Sequence, residues 1–369
     1  MLRCYTSLLF ILSFTLLIAQ KSKDKDIPSI TFEEYNPPST LVVPETIITK
    51  AKFPFIDIHS HHWRMGEQDL DQLIAEMDSM NMGIINNLSG RGGKSLKAMV
   101  DNVKKYGYDH RICIFTNIEF RSIDDPDWLK STLQQLEYDV SIGAKGLKIY
   151  KSQGMFHKDK SGKRIAVDDV RLDPIWAKCG ELGIPVLIHS ADPKPFWQPH
   201  DANNERWLEL KLKPRRKREA DDPASWETII AEQHNLFKKH PKTNFIAAHM
   251  GWYANDLTQL AKLLDEMPNM YVEIGAVIAE LGRQPRMANR FLEQYQDRVL
   301  FGKDAYYPEE FPTYFRVLES DDEYFPYYKR YHAFWKMYGL DLPDHILKKI
   351  YYKNALSIVP GLDHTLFPG

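Results

Sequence analysis

Residues 53–63 read FPFIDIHSHHW, an apolar run that leads to an aspartate and then to two histidines two positions apart. Alternate side chains of a strand point to one face, so Asp57, His59 and His61 are expected to project together. Two imidazoles on one face can bind a single metal ion. The alternative is a partly solvated histidine pair at a strand end, and this stretch by itself does not separate the two.

Seven further apolar runs follow, each after a segment with helical periodicity. The helix and strand pairs are 69–82 with 83–88, 94–106 with 112–115, 128–142 with 144–149, 172–182 with 184–189, 226–239 with 245–249, 257–267 with 270–274, and 287–295 with 298–301. Eight strands alternating with helices predict an α/β fold, a closed (β/α)8 TIM barrel rather than an open sheet. No glycine-rich phosphate fingerprint follows the first strand, which argues against a dinucleotide-binding fold.

Two long insertions and an unusual tail accompany this pattern. Segments 150–170 and 190–224 follow the fourth and fifth strands, so they are expected at the C-terminal face, where barrels carry active sites. The chain after residue 320 is rich in aromatic residues and is expected to pack over the barrel as a C-terminal extension. Segment 211–218, KLKPRRKR, is typical of nucleic-acid binding, but in a barrel loop we expect a solvated lid or a contact for acidic partners.

The N-terminus is typical of a secretory signal. Arg3 precedes an apolar run at 8–18, which is shorter than the ~20 residues of a membrane-spanning helix. We therefore predict a signal peptide at 1–20, a secreted or periplasmic protein, and no stable membrane insertion after cleavage. A linker arm (21–52), the barrel domain (53–360) and a short tail (361–369) complete the domain prediction. The net charge of −2 gives no footprint for nucleic acid.

Polar residues occupy the ends of several predicted strands. They are His59 and His61 on the first strand, His189 on the fifth, His249 on the sixth and Asp304 on the eighth. In a barrel these ends converge on one mouth. Three imidazoles and a carboxylate suit a divalent transition metal with an open position for water.

Four short motifs resemble the amidohydrolase superfamily, in particular the amidohydrolase-related branch with the aminocarboxymuconate-semialdehyde decarboxylase-like enzymes. The motifs are Asp57-x-His59-x-His61, Ile188-His189, Ala248-His249 and Phe301-Gly302-Lys303-Asp304. The resemblance implies one catalytic divalent metal, zinc before manganese, with the ligands His59, His61, His189 and Asp304. It implies that His249 activates water or holds the substrate, while Asp304 also accepts the water's proton. Lys303 departs from the small residue usual at its position and predicts a more basic strand end.

Other polar or aromatic residues are candidates for the substrate pocket. Lys148 on the fourth strand is one, with the alternative that it is carboxylated and bridges two metals, as in some members of the superfamily. Cations at the mouth predict an anionic or polyhydroxylated substrate, although any one of them can be a solvated surface charge. The remaining candidates are Arg64, Arg91, Lys151, Trp252 and Glu273.

These observations predict a metal-dependent hydrolase that uses a metal-activated water on a small carbonyl substrate. The substrate class is a lactone, ester or amide, anionic or derived from a sugar. A non-oxidative decarboxylase (carboxy-lyase) of the same fold is the alternative, because its metal ligands are alike. A non-catalytic protein that binds metal or ligand is the third hypothesis, and the complete set of strand-end residues disfavours it.

Overall fold

The computed structural model describes residues 28–369 of the chain. The described residues fall into two compact units, 28–39 and Thr40–Gly369, and the second unit contains the strands and the predicted site. The predicted signal peptide and the first part of the predicted linker lie outside the described residues. Within 28–369, no helix combines the length and apolarity needed to cross a membrane.

Short parallel strands surround the core of the larger unit. They are β1 (Phe55–Ser60), β2 (Met82–Asn87), β3 (Ile112–Ile114), β4 (Thr116–Asn117), β5 (Leu147–Ile149), β6 (Val186–Ile188), β7 (Phe245–Ala247), β8 (Met270–Glu273) and β9 (Val299–Leu300). Strands β3 and β4 continue one another across Phe115, so the nine segments form eight barrel strands, each paired in parallel with the next.

Backbone hydrogen bonds join the first barrel strand to the last and so close the barrel. The amide of Ile58 donates to the carbonyl oxygen of Phe301 at 3.1 Å, and the amide of Asp304 donates to that of His59 at 2.7 Å. Aromatic rings pack at this junction between the first and last strands, which we call the barrel seam. The Phe55 ring lies 4.8 Å from that of Phe301 and 5.3 Å from that of Phe315. Fully burying one such side chain stabilises the fold by roughly 1.5–3 kcal/mol. The predicted (β/α)8 barrel is confirmed.

Helices cover the outside of the barrel and also occur within the loops. They are α1 (Leu70–Ser79), α2 (Lys94–Tyr106), α3 (Trp128–Ile142), α4 (Lys151–Met155), α5 (Asp173–Glu181), α6 (Trp207–Leu212), α7 (Trp226–Lys239), α8 (Leu257–Glu266), α9 (Ile278–Gly282), α10 (Pro285–Gln294), α11 (Phe311–Glu319), α12 (Asp344–Lys348) and α13 (Asn354–Ile358). Helix α7 is representative: the Ser225 side chain caps its start by accepting from the Thr228 amide at 3.2 Å, and its apolar face is buried.

The sequence pattern locates the long helices to within a few residues but misses the short ones. The predicted helix 69–82 is α1, and the predicted helix 287–295 is α10, displaced by one or two residues. The insertions 150–170 and 190–224 contain α4 and α6, which periodicity did not predict because helices of five or six residues carry too few turns to show it.

The aromatic-rich extension packs against the loop that follows β6. It contains an antiparallel hairpin of β10 (Phe325–Pro326) and β11 (Lys336–Met337). Between them, the Trp335 ring faces the guanidinium groups of Arg206, at 4.7 Å, and Arg283, at 3.6 Å. Cation–π contacts of this kind stabilise a structure by about 0.5–2 kcal/mol each. The extension therefore forms a wall beside the barrel mouth, as predicted.

Candidate active site

The His59 side chain is fully buried where β1 reaches the barrel mouth. Its Nδ1 lies 2.9 Å from Oε1 of Glu273, and because a carboxylate only accepts hydrogen bonds, Nδ1 carries the proton. Nε2 is therefore an acceptor. It has no hydrogen-bond donor among the described residues, and it faces Oδ1 of Asp304 at 3.4 Å. Two acceptors that face each other suit a shared cation.

His61 approaches the same carboxylate from the residue just beyond β1. Its Nε2 lies 3.7 Å from Oδ1 of Asp304, and its Nδ1 is hydrogen-bonded to Ser89 Oγ at 2.7 Å. The ring lies beside those of Trp63 and Tyr150, each 5.8 Å away, and these two rings are 5.7 Å from each other, so the three form a cluster. These contacts fix the imidazole plane with Nε2 directed at Asp304.

Asp304 lies just beyond β9 in a left-handed conformation with φ 82°. Its amide donates to the carbonyl oxygen of His59, so the backbone holds the carboxylate beside that residue. The neighbouring Lys303 points elsewhere, since its buried ammonium binds Glu310 and the carbonyl oxygen of Ala305. The basic strand end predicted from Lys303 is therefore neutralised by Glu310 and adds no free cation to the mouth.

His249 follows β7 on a strained backbone. It and the next three residues all have φ between 54° and 62°, a conformation that costs an L residue about 1–2 kcal/mol. The His249 amide donates to Glu273 Oε1 at 2.6 Å, and its Nδ1 donates to the carbonyl oxygen of Gly275 at 2.7 Å. Its Nε2 faces His189 Nδ1 at 3.3 Å. The hydrogen bonds hold the ring in this strained position.

Four of the five predicted strand-end residues belong to two overlapping groups of candidate metal ligands, and His189 belongs to neither. Candidate ligand atoms of His59, His61 and Asp304 lie within 4.8 Å of one another, and so do those of His59, His249 and Glu273. His189 belongs to neither group; its contact is with His249, and its buried Nε2 has no hydrogen-bond partner among residues 28–369.

Glu273 joins the two groups of histidines at the base of the site. Its carboxylate is fully buried and accepts from His59 Nδ1, from the His249 amide and, at 2.5 Å, from the Gly275 amide. Gly302 makes room for it, because a Cβ at that position would lie 2.4 Å from Glu273 Oε2. The sequence suggested Glu273 for substrate binding, and in the structure it orients imidazoles instead.

The residues present fit a divalent metal. Burial lowers the pKa of His59 and, together with Lys148, lowers that of His61 to about 4, so both imidazoles are neutral at pH 7, the form that binds metals. In each, the second ring nitrogen binds a carboxylate or hydroxyl, which is usual for histidines that hold a metal. His59, His61 and Asp304 would hold it, with His189 Nε2 available nearby.

Lys148 lies below this site on β5 and is fully buried. Its Nζ has no hydrogen-bond partner among the described residues, and burial lowers its pKa to about 8. Asp57 on β1 is also buried, which raises its pKa to about 8, and its Oδ1 accepts from the amides of His59 and Lys303. A buried amine beside the ligands leaves the two-metal alternative as an open prediction.

A cavity of about 140 Å³ opens above His189, His249 and Asp304. Trp252 forms one wall, with its ring 4.6 Å from that of His249. Lys151 also lines the cavity, where its ammonium binds Asp192. The rest of the lining comes from the loop after β6 and from the extension, and it includes Phe196, Arg206, Glu209, Arg216, Lys329, Tyr331 and His332.

The other half of the mouth holds a second, more open cavity of about 570 Å³. Trp63, Arg91 and Tyr150 line it, so Arg91 and Lys151 belong to different cavities. Arg64 is exposed and lines neither of these two cavities. The predicted cations are thus divided between two cavities and the surface.

A sequence model of the amidohydrolase family matches residues 120–360, about two thirds of the chain. The chain belongs to the amidohydrolase family. The matched part contains His189, His249 and Asp304, whereas His59 and His61 precede it and join the site through the barrel seam. The family comprises enzymes, both hydrolases and decarboxylases. None of the curated protein sequences matches this amidohydrolase.

Solved structures share the barrel at low sequence identity. An uncharacterized TIM-barrel protein from Bordetella bronchiseptica is 16% identical with a TM-score of 0.51, covering 83% of this chain and 98% of that one. A 2,6-dihydroxybenzoate decarboxylase, solved with 2,6-dihydroxybenzoate, is 13% identical with a TM-score of 0.50, covering 83% and 99%. At these identities the likeness establishes the fold of this amidohydrolase.

Several residues at the site were not predicted from the sequence. Ser89 and Asp192 each follow a strand by two to four residues, so their positions alone could have suggested them. Lys329, Tyr331 and His332 come from an extension without periodicity, and no sequence signal directs them to the cavity.

The buried histidines predict that the metal-free protein loses stability in acid. Burial lowers the pKa of His59, His61, His62 and His189 below the ordinary 6.5. Below that pH the histidines bind protons in the unfolded chain but not in the folded chain. Once a histidine is fully protonated in the unfolded chain, the free energy of unfolding falls by about 1.4 kcal/mol per pH unit for that residue. Asp57, protonated in the folded state up to pH about 8, opposes this with one proton.

Urea unfolding of the metal-free protein between pH 7 and pH 5 checks this expectation. His62 is outside the two candidate ligand groups and its pKa is about 4 because of burial. His62→Gln should therefore reduce the mean pH slope over this range by about 1 kcal/mol per unit relative to the unsubstituted protein. Equal slopes for the two proteins, or a free energy of unfolding that does not change with pH, would contradict the argument.

Proposed function

We propose that this amidohydrolase is a metal-dependent hydrolase of a small carbonyl compound such as a lactone, an ester or an amide. The observation that carries the proposal is the convergence of His59 Nε2 and His61 Nε2 on Asp304 Oδ1, at 3.4 and 3.7 Å, beneath a cavity that also contains His249. Zinc is the preferred metal, with manganese as the alternative, because imidazole and carboxylate ligands suit both.

A bound divalent metal would polarise a carbonyl and lower the pKa of a bound water toward ~7. Asp304 Oδ1, beside the imidazoles, is placed to accept a proton from the nucleophile. His249 keeps one proton on Nδ1 through its bond to the Gly275 carbonyl oxygen, so Nε2, which faces His189 Nδ1, can receive the nucleophile's proton from Asp304 and pass it to the leaving group. Trp252 excludes water from one side of the cavity.

A non-oxidative decarboxylase is the second candidate. The cations around the smaller cavity support it, because the substrate of such an enzyme carries a carboxylate. A non-catalytic binding protein is disfavoured by the strained and fully hydrogen-bonded His249, which a metal site alone does not require. The signal-like N-terminus supports action outside the cytoplasm, on substrates taken from the surroundings.

The zinc-loaded protein should be screened against lactones, sugar acids and aromatic carboxylates, with acid release and CO₂ release recorded separately. We expect hydrolysis of at least one lactone or ester, lost on chelation and restored by zinc. CO₂ release without hydrolysis would favour the decarboxylase. Metal binding with neither activity across the panel would favour the binding protein.

A further inference from the structure

Among the residues that the structure describes, Lys329 is the cation of the smaller cavity whose ammonium makes no direct ion pair. It belongs to the segment between β10 and β11, and its side chain has no hydrogen bond and no ion pair within the described part of the chain. The nearest contact given for its ammonium is the ring of the adjacent Tyr328, 5.7 Å away. Lys329 is partly buried, and burial lowers the pKa of its ammonium group, while Asp304, Glu310 and Glu280 oppose this from beyond ion-pair distance.

Every other cation that lines this cavity is paired, and the carboxylates are shared. Asp192 binds both Lys151 and Arg218. Glu209 binds both Arg206, at 3.0 Å, and Arg216.

A third carboxylate, Glu280, binds Arg206 from its other side. Four cations, of which Arg218 lies outside the cavity lining, thus share three carboxylates, and Lys329 pairs with none of them, while Asp304 faces the imidazoles. His332 adds no negative charge, and burial together with Arg206 lowers its pKa, so it stays neutral.

A cation removed from water without a partner costs free energy, which an anion entering the cavity would offset. The anion has to be small, because a cavity of about 140 Å³ is below the range of roughly 300–1,000 Å³ that holds drug-sized ligands. A carboxylate is a group of that size that an ammonium binds with charge-assisted hydrogen bonds.

We propose that Lys329 binds a carboxylate of the substrate, a different group from the one presented to His249 and Asp304. The substrate of this amidohydrolase is then a small organic acid with a second reactive carbonyl or carboxyl group, and the extension selects it by charge. This inference rests on the proposed function for the identity of the reacting end, but the anion site itself requires no turnover.

Calorimetric titration of the metal-free and the zinc-loaded protein tests the site with two dianions, glutarate and isophthalate, and with their neutral diamides. We expect at least one dianion to bind more tightly than its diamide in both forms of the protein. Lys329→Met should weaken that dianion about 10- to 100-fold, as expected for a lost hydrogen bond between charged groups. Lys329→Arg should restore part of the affinity.

Lys336→Met is the matched control, because Lys336 lies on β11 of the same hairpin, over the Tyr324 ring and outside this cavity. It should leave dianion affinity unchanged, and both methionine variants should keep the melting temperature and zinc content. Equal dianion affinity in Lys329→Met, or no preference for dianions over diamides, would overturn the inference. A preference that persists in a protein binding no zinc would support the anion site while the hydrolase proposal fails.

Discussion

Asp304→Asn is expected to lower kcat on the order of 10⁴-fold and to release most of the bound metal. Asp304 supplies the carboxylate that both His59 Nε2 and His61 Nε2 face. Asparagine keeps the shape of the side chain but has no charge to bind a cation or to accept a proton. Zinc content and steady-state kinetics on the active substrate, measured on one preparation, check both parts of the expectation.

The control for this variant is Asp344→Asn, which removes an exposed carboxylate bound to Lys52. Exposed ion pairs contribute about 0–1 kcal/mol to stability, so kcat and zinc content should stay unchanged. Asp304→Asn with full zinc content and a kcat within tenfold of the unsubstituted enzyme would show that the carboxylate has neither role.

His249→Ala is expected to lower kcat by about 10²–10⁴-fold while zinc content stays near normal. The reason is its placement: His249 lines the cavity, its Nδ1 donates to the Gly275 carbonyl oxygen, and its Nε2, which faces His189, is the nitrogen that can exchange a proton. The 3.3 Å contact with His189 makes the experiment decisive, because a residue that only supports that histidine would affect metal affinity first.

His189→Ala and His240→Ala give the comparison its two limits. His189→Ala should lose zinc, because it deletes a predicted ligand. His240→Ala should change neither quantity, since His240 ends α7 and binds Asp173 away from the mouth. Zinc loss in His249→Ala equal to that in His189→Ala would place His249 among the residues that hold the metal, and unchanged kcat would exclude it from the mechanism.

The barrel and the centre of the site were predictable because the parallel strands of a barrel bring distant strand ends together. His59 and Asp304 are far apart in the sequence, yet each lies at the end of a barrel strand, and the strand order alone makes them neighbours. Strand ends can be read from apolar runs and the polar residues that follow them. The predicted family follows from the same residues.

The orientation of individual side chains could not be predicted in this way. His189 lies at the end of a barrel strand as expected, but its ring contacts His249 instead of the group around Asp304. Glu273 was expected to bind substrate, and hydrogen bonds to two backbone amides direct it inward. Loop residues follow local backbone angles that no periodicity encodes, so Arg64 is exposed while Lys329, from the extension, reaches the cavity.

Anomalous X-ray diffraction on both sides of the zinc edge, from crystals grown with zinc, shows directly which residues hold the metal. We expect one zinc peak per chain, bonded to His59 Nε2, His61 Nε2 and Asp304, with His189 as the further protein ligand. A second peak beside Lys148 would establish the two-metal alternative. A fully zinc-loaded crystal without a peak at His59 and Asp304 would contradict the account.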